Sequence, residues 1–575
     1  MTAPRRLFVE LSKVFSRSAA AWKAARRSRF AVRAGRDKSS RARFSLPEVF
    51  VCSSPSTRKL LVAFAGASAV AILAGTRLPA SQDADGCQKG DATDCASTST
   101  GSTHLTIRLA EVKQHDGSSE RPWVTRGRFV YDITDWIGVH PGGDVILRAA
   151  GGSVDPYWDI FTIHKRQDIF DILEQYLIGE IDPVDLVDGR VPVDTIDDPF
   201  SNDPKRDPQL RQITARPCNA ETPKEGLADF LTPNDLFYVR NHMWVPVIEE
   251  AEHLLTVELS NGDEISYTMK ELKERFKRYK ITATLQCAGN RRRDMTVHAK
   301  QTNGLQWSAG AISNAEWEGV KLRDVLADAG LDVDNPPKDV QHAQFAGLEA
   351  YGASIPIAKA VDPHGDVLLA FKMNGQDLPR DHGFPLRVVV PGHVAARSVK
   401  WLKKVIISDE ESPSQWQRRD YKCFGPNVGA NPDWSKARAI QEMPVTSAIT
   451  AINNSSHSLP APADKEEPAI SIEGYAYSGG GREIIRVDIS TDNGQTWDQA
   501  ELLEDHVRGS KAWCWKRWRY ANVRRCDGMT TILVKATDEA YNTQPESHGH
   551  IYNVRGNLAT AWHRVDIEDR KEERD

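Results

Sequence analysis

The stretch LQCAGNRRRDM, Leu285 to Met295, places one thiol, Cys287, within five residues of Arg291 and Arg292. Only an Ala-Gly-Asn turn separates the sulfur from three consecutive arginines. Nearby cations favour the thiolate, the form that binds metals or attacks electrophiles. On these residues alone Cys287 is a candidate metal ligand and a candidate nucleophile or redox sensor. Two histidines make a second candidate centre. His140 precedes Pro-Gly-Gly in VHPGGDVIL, a combination that forces a turn and leaves the imidazole at a loop edge. His164 follows 24 residues later in FTIHKRQDIFDIL, just before Ile169, Ile172, Leu173 and Tyr176, whose spacing shares one helical face. Two imidazoles on opposing walls can ligate both faces of a haem iron.

A third set is spread over separate loops: FYVRNH at 237–242, YGASIP at 351–356, PRDHGFPLR at 379–387, PGHVAARSVKWLKK at 391–404 and WQRRDYKCFGP at 416–426. They contribute Arg240, His242, His382, Arg387, Arg397 and Lys400, which join Arg291 and Arg292. A pocket built from these residues would be strongly positive and hold anions. Arginine recognises oxyanions with a planar, bidentate fork and keeps its charge. The expected occupant is a phosphate-bearing cofactor, an oxyanion substrate, or both.

The elements that must position these residues are legible in part. Order is expected from about His104, with strand character in GRFVYDITDWI, and the histidine pair defines a small domain over 104–183. Residues 184–216, dense in Pro and Asp and without periodicity, read as a hinge or tether. From 217 to 443 compact apolar runs such as ITATLQC and FPLRVVVPG alternate with helical spacing in YTMKELKERFKRY and EGVKLRDVLADAG, which predicts a mixed α+β domain. From 444 to 567 short alternating strands take over. In REIIRVDIS the pattern points Ile485, Val487 and Ile489 one way and Arg486, Asp488 and Ser490 the other. Asp-Asn-Gly at 492–494 supplies a hairpin turn, and the whole suggests an immunoglobulin-like β-sandwich. The cluster Trp513, Trp515 and Trp518 belongs to its core or to an interface, core being the expectation. A charged tail fills 568–575.

Composition narrows the function. The chain has 575 residues, 40% hydrophobic and 27% charged, with a net charge of −5. That length allows about four domains, and the mild acidity disfavours a nucleic-acid role. The eight cysteines include no CxxC pair and no zinc-finger spacing, and they are too few for a disulfide scaffold. Charge is uneven: residues 1–59 carry fifteen Lys and Arg against Glu10, Asp37 and Glu48. That is the composition of a mitochondrial transit peptide. Residues 60–75, LLVAFAGASAVAILAG, carry no charge over sixteen residues, short of the roughly 20 a spanning helix needs. Together, residues 1–79 fit a two-part signal into the mitochondrial intermembrane space. Membrane contact is expected only through 60–75, and the Ser, Thr, Asp and Gly of 80–103 read as a flexible linker.

The HPGG turn, the second histidine and the terminal YLIGEI resemble the cytochrome b5 domain, which implies a bis-histidine haem b. LQCAGNRR, FYVRNH, LPRDHGFPLRVVVPG and WQRRDYK resemble the molybdopterin domain of eukaryotic, animal-type sulfite oxidases. The resemblance covers nearly all of the chain after residue 104. It implies three folds in series: the b5-like haem domain, the sulfite oxidase molybdopterin fold and an Ig-like dimerisation domain. It also implies Cys287 as the one direct protein ligand to molybdenum. The substrate pocket it implies is Arg240, Arg292, Trp307, Tyr421 and Arg555, with Asp420 beside the tyrosine. Its pterin-binding positions are Tyr238, Val239, Arg240, Asn241, His242, Glu349, His382, Arg387, Ser398, Val399 and Lys400. Two residues depart from the family pattern. Glu349 stands in a shorter loop where an aspartate is common, and His393 stands where an aliphatic residue is more usual.

The function so implied is oxidation of sulfite to sulfate at molybdenum, with electrons passed singly through the haem to cytochrome c by a homodimer. Assimilatory nitrate reductase shares the modules but places its b5 domain after the dimerisation domain, and nothing after residue 567 has the length of a flavin module. A non-catalytic haem electron carrier would not need the set Cys287, Arg240 and Tyr421.

Overall fold

The computed structural model describes residues 105–568, apart from 138–139, 141–142, 166, 190, 193–197, 349–350, 430, 455–469, 504–510 and 524–528. The expected targeting segment, the 60–75 stretch, the 80–103 linker, Glu349 and the tail after Glu568 lie outside the described residues. Among the described residues no helix is long and apolar enough to cross a membrane.

The histidine pair sits on a four-stranded sheet in the order Leu105–Ile107, Leu177–Ile181, Phe129–Asp132, Trp123–Arg126. Its first pair is parallel and the others antiparallel. Short helical segments, Asp155–Ile160, Thr162–Lys165 and Gln167–Leu173, cover it. Val124, Tyr131, Ile133 and Leu173 pack between the sheet and these segments, so the sheet fixes the loop that carries His164.

In the segment after this domain, residues 198–216 are tied to the central domain. Arg206 bridges Asp203 and Asp381 at 2.8 Å each, and Asp203 accepts from Val245 N–H at 2.9 Å. Arg380 donates to the Asn202 carbonyl at 2.8 Å.

Two five-stranded sheets build the central domain. One runs Arg278–Gln286, Ile312–Lys321, Leu368–Met373, with Gln376–Asp377 and Arg387–Val389 both pairing to the last. The other runs Gly352–Pro356, His342–Gly347, Leu402–Ser408, Leu254–Glu258, Glu264–Thr268. A continuous apolar core of Leu, Val, Ile and Phe from these strands and from the helices Met269–Arg275 and Leu322–Asp328 lies between. The first helix occupies the middle of the run YTMKELKERFKRY and starts at Met269 because Thr268 and Glu271 form a reciprocal capping box, 3.1 Å and 2.8 Å.

The C-terminal domain is two four-stranded sheets sharing one core. Thr446–Asn454, Ile470–Tyr477, Lys516–Val523 and Glu501–Leu502 form one, and Asp498–Gln499, Ile484–Ser490, Met529–Asp538 and His563–Glu568 form the other. The Asp-Asn-Gly hairpin is present: Asn493 and Gly494 take φ of 60° and 91°, and the strands on either side pair antiparallel. One detail corrects the alternation expected in REIIRVDIS. A register shift between Ile484 and Arg486 turns Ile485 out to 39% exposure, and Ile484 takes the core position. Trp513, Trp515 and Trp518 are all buried.

Candidate functional site

Cys287 follows directly on the strand Arg278–Gln286, whose pairing with Ile312–Lys321 fixes its end. The chain then turns tightly: Asn290 N–H donates to the Cys287 carbonyl at 3.0 Å and Arg291 takes a left-handed φ of 62°. Asn290 locks the turn by accepting from Ala311 N–H at 3.0 Å and donating to the Tyr475 hydroxyl at 2.9 Å. The thiol opens into a cleft of about 770 Å³ including its mouth. The separated loops meet there. Its walls include Tyr238, Arg240, Asn241, His242, His382, Arg387, Ser398, Lys400 and Tyr421.

No carboxylate lines this cleft among the described residues, whereas Arg240, Arg387 and Lys400 do. Among the described residues Arg387 donates only to backbone, the carbonyls of His382 at 2.9 Å, Ser398 at 3.0 Å and Val388 at 3.4 Å. Arg240 donates to Asn219 Oδ1 at 3.0 Å and its neighbour's carbonyl at 2.7 Å. Lys400 Nζ donates to the Asp381 carbonyl at 2.8 Å and to Asn241 Oδ1. Neutral acceptors satisfy hydrogen bonds without cancelling charge, so burial pulls Arg387 down to about 10 and Lys400 down to about 7. The donor set fits a phosphate-bearing pterin with a thiolate ligand to its metal.

Arg292 lies beside the cleft, not in its lining. Its Nε, Nη1 and Nη2 donate to Arg555 O at 2.9 Å, Leu305 O at 2.8 Å and Asn557 Oδ1 at 2.9 Å. Burial lowers it to about 10. Backbone must approach its guanidinium closely: a Cβ on Gly304, at φ +125°, would meet Arg292 Nη1 at 2.9 Å, and one on Gly556, at φ +57°, its Cγ at 2.6 Å. Arg555 pairs with Asp420 at 2.6 Å, and its Nε is buried without a partner among the described residues. Asp420 also accepts the Tyr421 N–H at 2.8 Å. Tyr421 OH is 3.0 Å from His242 Nε2, and burial pushes the phenol up to about 12 and holds His242 neutral.

Two arginines expected in the pocket are elsewhere. Arg291 turns back to donate to the carbonyls of Ser447 at 3.1 Å, Ala561 at 2.7 Å and Trp562 at 3.3 Å, and it pairs with Asp294 at 2.8 Å. Arg397 donates to Ile440 O at 2.8 Å and to Gln417. Trp307 is core, and the side chains of Val239 and Val399 pack in apolar clusters, which leaves only their backbone for a cofactor. The sequence reading missed Tyr351, which stacks on His242 with ring centres 4.8 Å apart and lines the cleft, and also Phe237, Met243, Leu285 and Trp401. Tyr351, Phe237, Leu285 and Trp401 all stand within the loops singled out by sequence, and only Met243 lies outside them.

In the small domain the rings of His140 and His164 face each other 6.2 Å apart, 10° from parallel. Imidazole–metal bonds of about 2 Å place two opposed ring centres about 6 Å apart, so the pair fits one iron. His164 Nδ1 lies 3.0 Å from the Phe161 carbonyl, which leaves Nε2 as the ligand atom, and burial lowers the ring's pKa.

Family models match in sequence along the chain. The Cytochrome b5-like Heme/Steroid binding domain covers 108–182, the Oxidoreductase molybdopterin binding domain 242–416 and the Mo-co oxidoreductase dimerisation domain 437–570. These modules, on a thiol in a cation-lined cleft, define a haem-containing molybdopterin oxidoreductase. The chain is 46% identical to "Sulfite oxidase" of Gallus gallus, over 79% of this chain and 98% of the relative. It is 45% identical to "Sulfite oxidase, mitochondrial" of Homo sapiens, over 81% and 85%. The solved sulfane dehydrogenase SoxCD from Paracoccus pantotrophus superposes with a TM-score of 0.51 at 26% identity, covering 64% of this chain and 88% of that one. The chain belongs to the sulfite oxidase family.

Proposed function

We propose that this protein oxidises sulfite to sulfate at the cleft around Cys287 and passes the electrons singly through a haem held by His140 and His164 to cytochrome c. The observation that carries the reading is the Cys287 thiol opening into a cleft lined by Arg240, Arg387 and Lys400. Sulfite and water give sulfate, two protons and two electrons. A molybdenum cofactor bound at Cys287 supplies the two-electron oxygen-transfer chemistry. Arg240, Arg387, Lys400 and the loop residues Tyr238, Asn241, His242, His382 and Ser398 hold the cofactor. Arg240, Arg292 and Arg555 attract and orient the oxyanion. Tyr421, kept protonated by burial and oriented by neutral His242, donates a hydrogen bond beside the reacting oxygen and moves a proton as electrons leave.

The dimerisation domain makes the working unit a homodimer. The basic, acid-poor leader and the mitochondrial names of relatives support residence in the mitochondrion, and the apolar 60–75 stretch behind the leader is what supports the intermembrane space within it. Module order, haem domain first, favours this reading over a nitrate reductase. The test is an anaerobic visible spectrum of oxidised protein before and after sulfite. Haem bands shifting to the reduced form support substrate, metal centre and internal transfer together. Haem that stays oxidised in molybdenum-replete protein overturns the reading.

A further inference from the structure

Three aromatic side chains and one arginine join the haem domain to the central domain. On the haem side, Phe161 offers its carbonyl to His164 Nδ1 at 3.0 Å, and its ring meets Phe200 edge-on with centres 5.3 Å apart. Phe200 is only 5% exposed and belongs to the segment tied to the central domain by Arg206, which pairs with Asp381, and by Asp203, which accepts from Val245 N–H at 2.9 Å. Its ring meets Trp244 at 6.3 Å, again edge-on. Trp244 lies two residues beyond His242, which lines the cleft. From the haem domain, Arg148 places its guanidinium 4.4 Å from the Trp244 ring centre. Phe200 and Arg148 therefore converge on one indole, a geometry that holds two domains in a defined orientation.

We propose that Phe200 and Trp244 form the seat on which the haem domain docks for internal electron transfer, with Phe161 and Arg148 as its contacts. The seat joins the backbone partner of the haem ligand His164 to the His242 loop through side-chain contacts. Seated, the domain accepts one electron from the reduced molybdenum centre, turning ferric haem ferrous. The second electron follows once a one-electron acceptor protein has reoxidised the haem. The proposal rests on the haem and molybdenum assignments made above. Phe161, Phe200, Trp244 and Arg148 are positioning residues and touch no substrate.

The test is anaerobic stopped-flow of haem reduction by sulfite in the full-length holoenzyme, for wild type, Phe200→Ala, Arg148→Gln and Arg148→Lys. Each protein is also assayed with a small-molecule oxidant that drains the molybdenum centre directly. Phe200→Ala and Arg148→Gln should slow haem reduction about tenfold, as expected from loss of an aromatic or cation–π contact. Arg148→Lys should recover part of the rate, and the small-oxidant activity should not change. Arg148 is exposed, so Arg148→Gln reads the seat even if Phe200→Ala fails to fold. Unchanged rates in Arg148→Gln overturn the proposal. Faster rates also overturn it, because the contact would then hold the haem away from its donor. If sulfite fails to reduce wild-type haem, the proposed function fails instead.

Discussion

The hydroxyl of Tyr421 and Nε2 of His242 lie 3.0 Å apart in the wall of the cleft that holds Cys287. Burial raises the phenol to about 12 and depresses the imidazole, so at neutral pH both are uncharged; in the tautomer that carries its proton on Nε2, His242 donates to the phenol oxygen and leaves the phenol O–H to donate elsewhere. Tyr421→Phe keeps the ring and removes the donor. It should slow haem reduction by sulfite at least about tenfold, as loss of one donor to a developing charge does. The rate profile of the native protein should show no limb from this phenol below about pH 10. A Tyr421→Phe variant with the native rate would remove the tyrosine from the reaction.

Cys287→Ser exchanges a soft thiolate for a hydroxyl at the strand end. Sulfite turnover should be abolished while the haem spectrum stays as in the native protein, because His140 and His164 lie in another domain. Visible spectroscopy and a turnover assay on the same sample check both. Retained turnover would exclude Cys287 as the ligand.

Arg291 is a structural pin. Arg291→Gln leaves the carbonyls of Ser447, Ala561 and Trp562 and the Asp294 carboxylate without their cation. Breaking a buried charged network of this kind costs about 3–5 kcal/mol. A lowered melting temperature and a deformed cysteine turn should follow. Loss of activity at native stability would instead return Arg291 to the pocket.

Acid should destabilise the protein earlier than its carboxylates alone require. Burial holds His382, His393, His548 and His563 down at about 3, against about 6.5 in an unfolded chain. Between those values the unfolded chain binds protons that the folded chain does not. Stability therefore falls as pH drops through about 6.5, by about 1.4 kcal/mol per pH unit for each such group. His393 is the cleanest probe, buried with Nδ1 unpartnered among the described residues. His393→Leu should flatten the melting-temperature slope between about pH 6 and 4. An unaltered slope would mean that His393 is protonated in the fold.

What the sequence made legible was local chemistry: Cys287 after an apolar run, His140 beside Pro-Gly-Gly, and the loops that converge on the cleft. What it hid was direction. Arg291 and Arg292 are adjacent in the chain, yet one pins carbonyls of the C-terminal domain and the other sits beside Arg555. That division depends on the left-handed turn at Arg291 and on backbone approaching from 263 residues away. Ile485 misled for a related reason, since a bulge breaks the period of two on which strand reading depends. The stacking of Tyr351 on His242 and the contact of Phe200 with Trp244 join distant segments, and neither carries a periodic signal.

The pin at Arg291 also sets an order of events. One of its carbonyl partners, Ala561, lies 270 residues downstream. While the chain is being synthesised, the turn carrying Cys287 leaves the ribosome long before the backbone that will clamp it. The clamp on that turn therefore closes only after the C-terminal domain has been made.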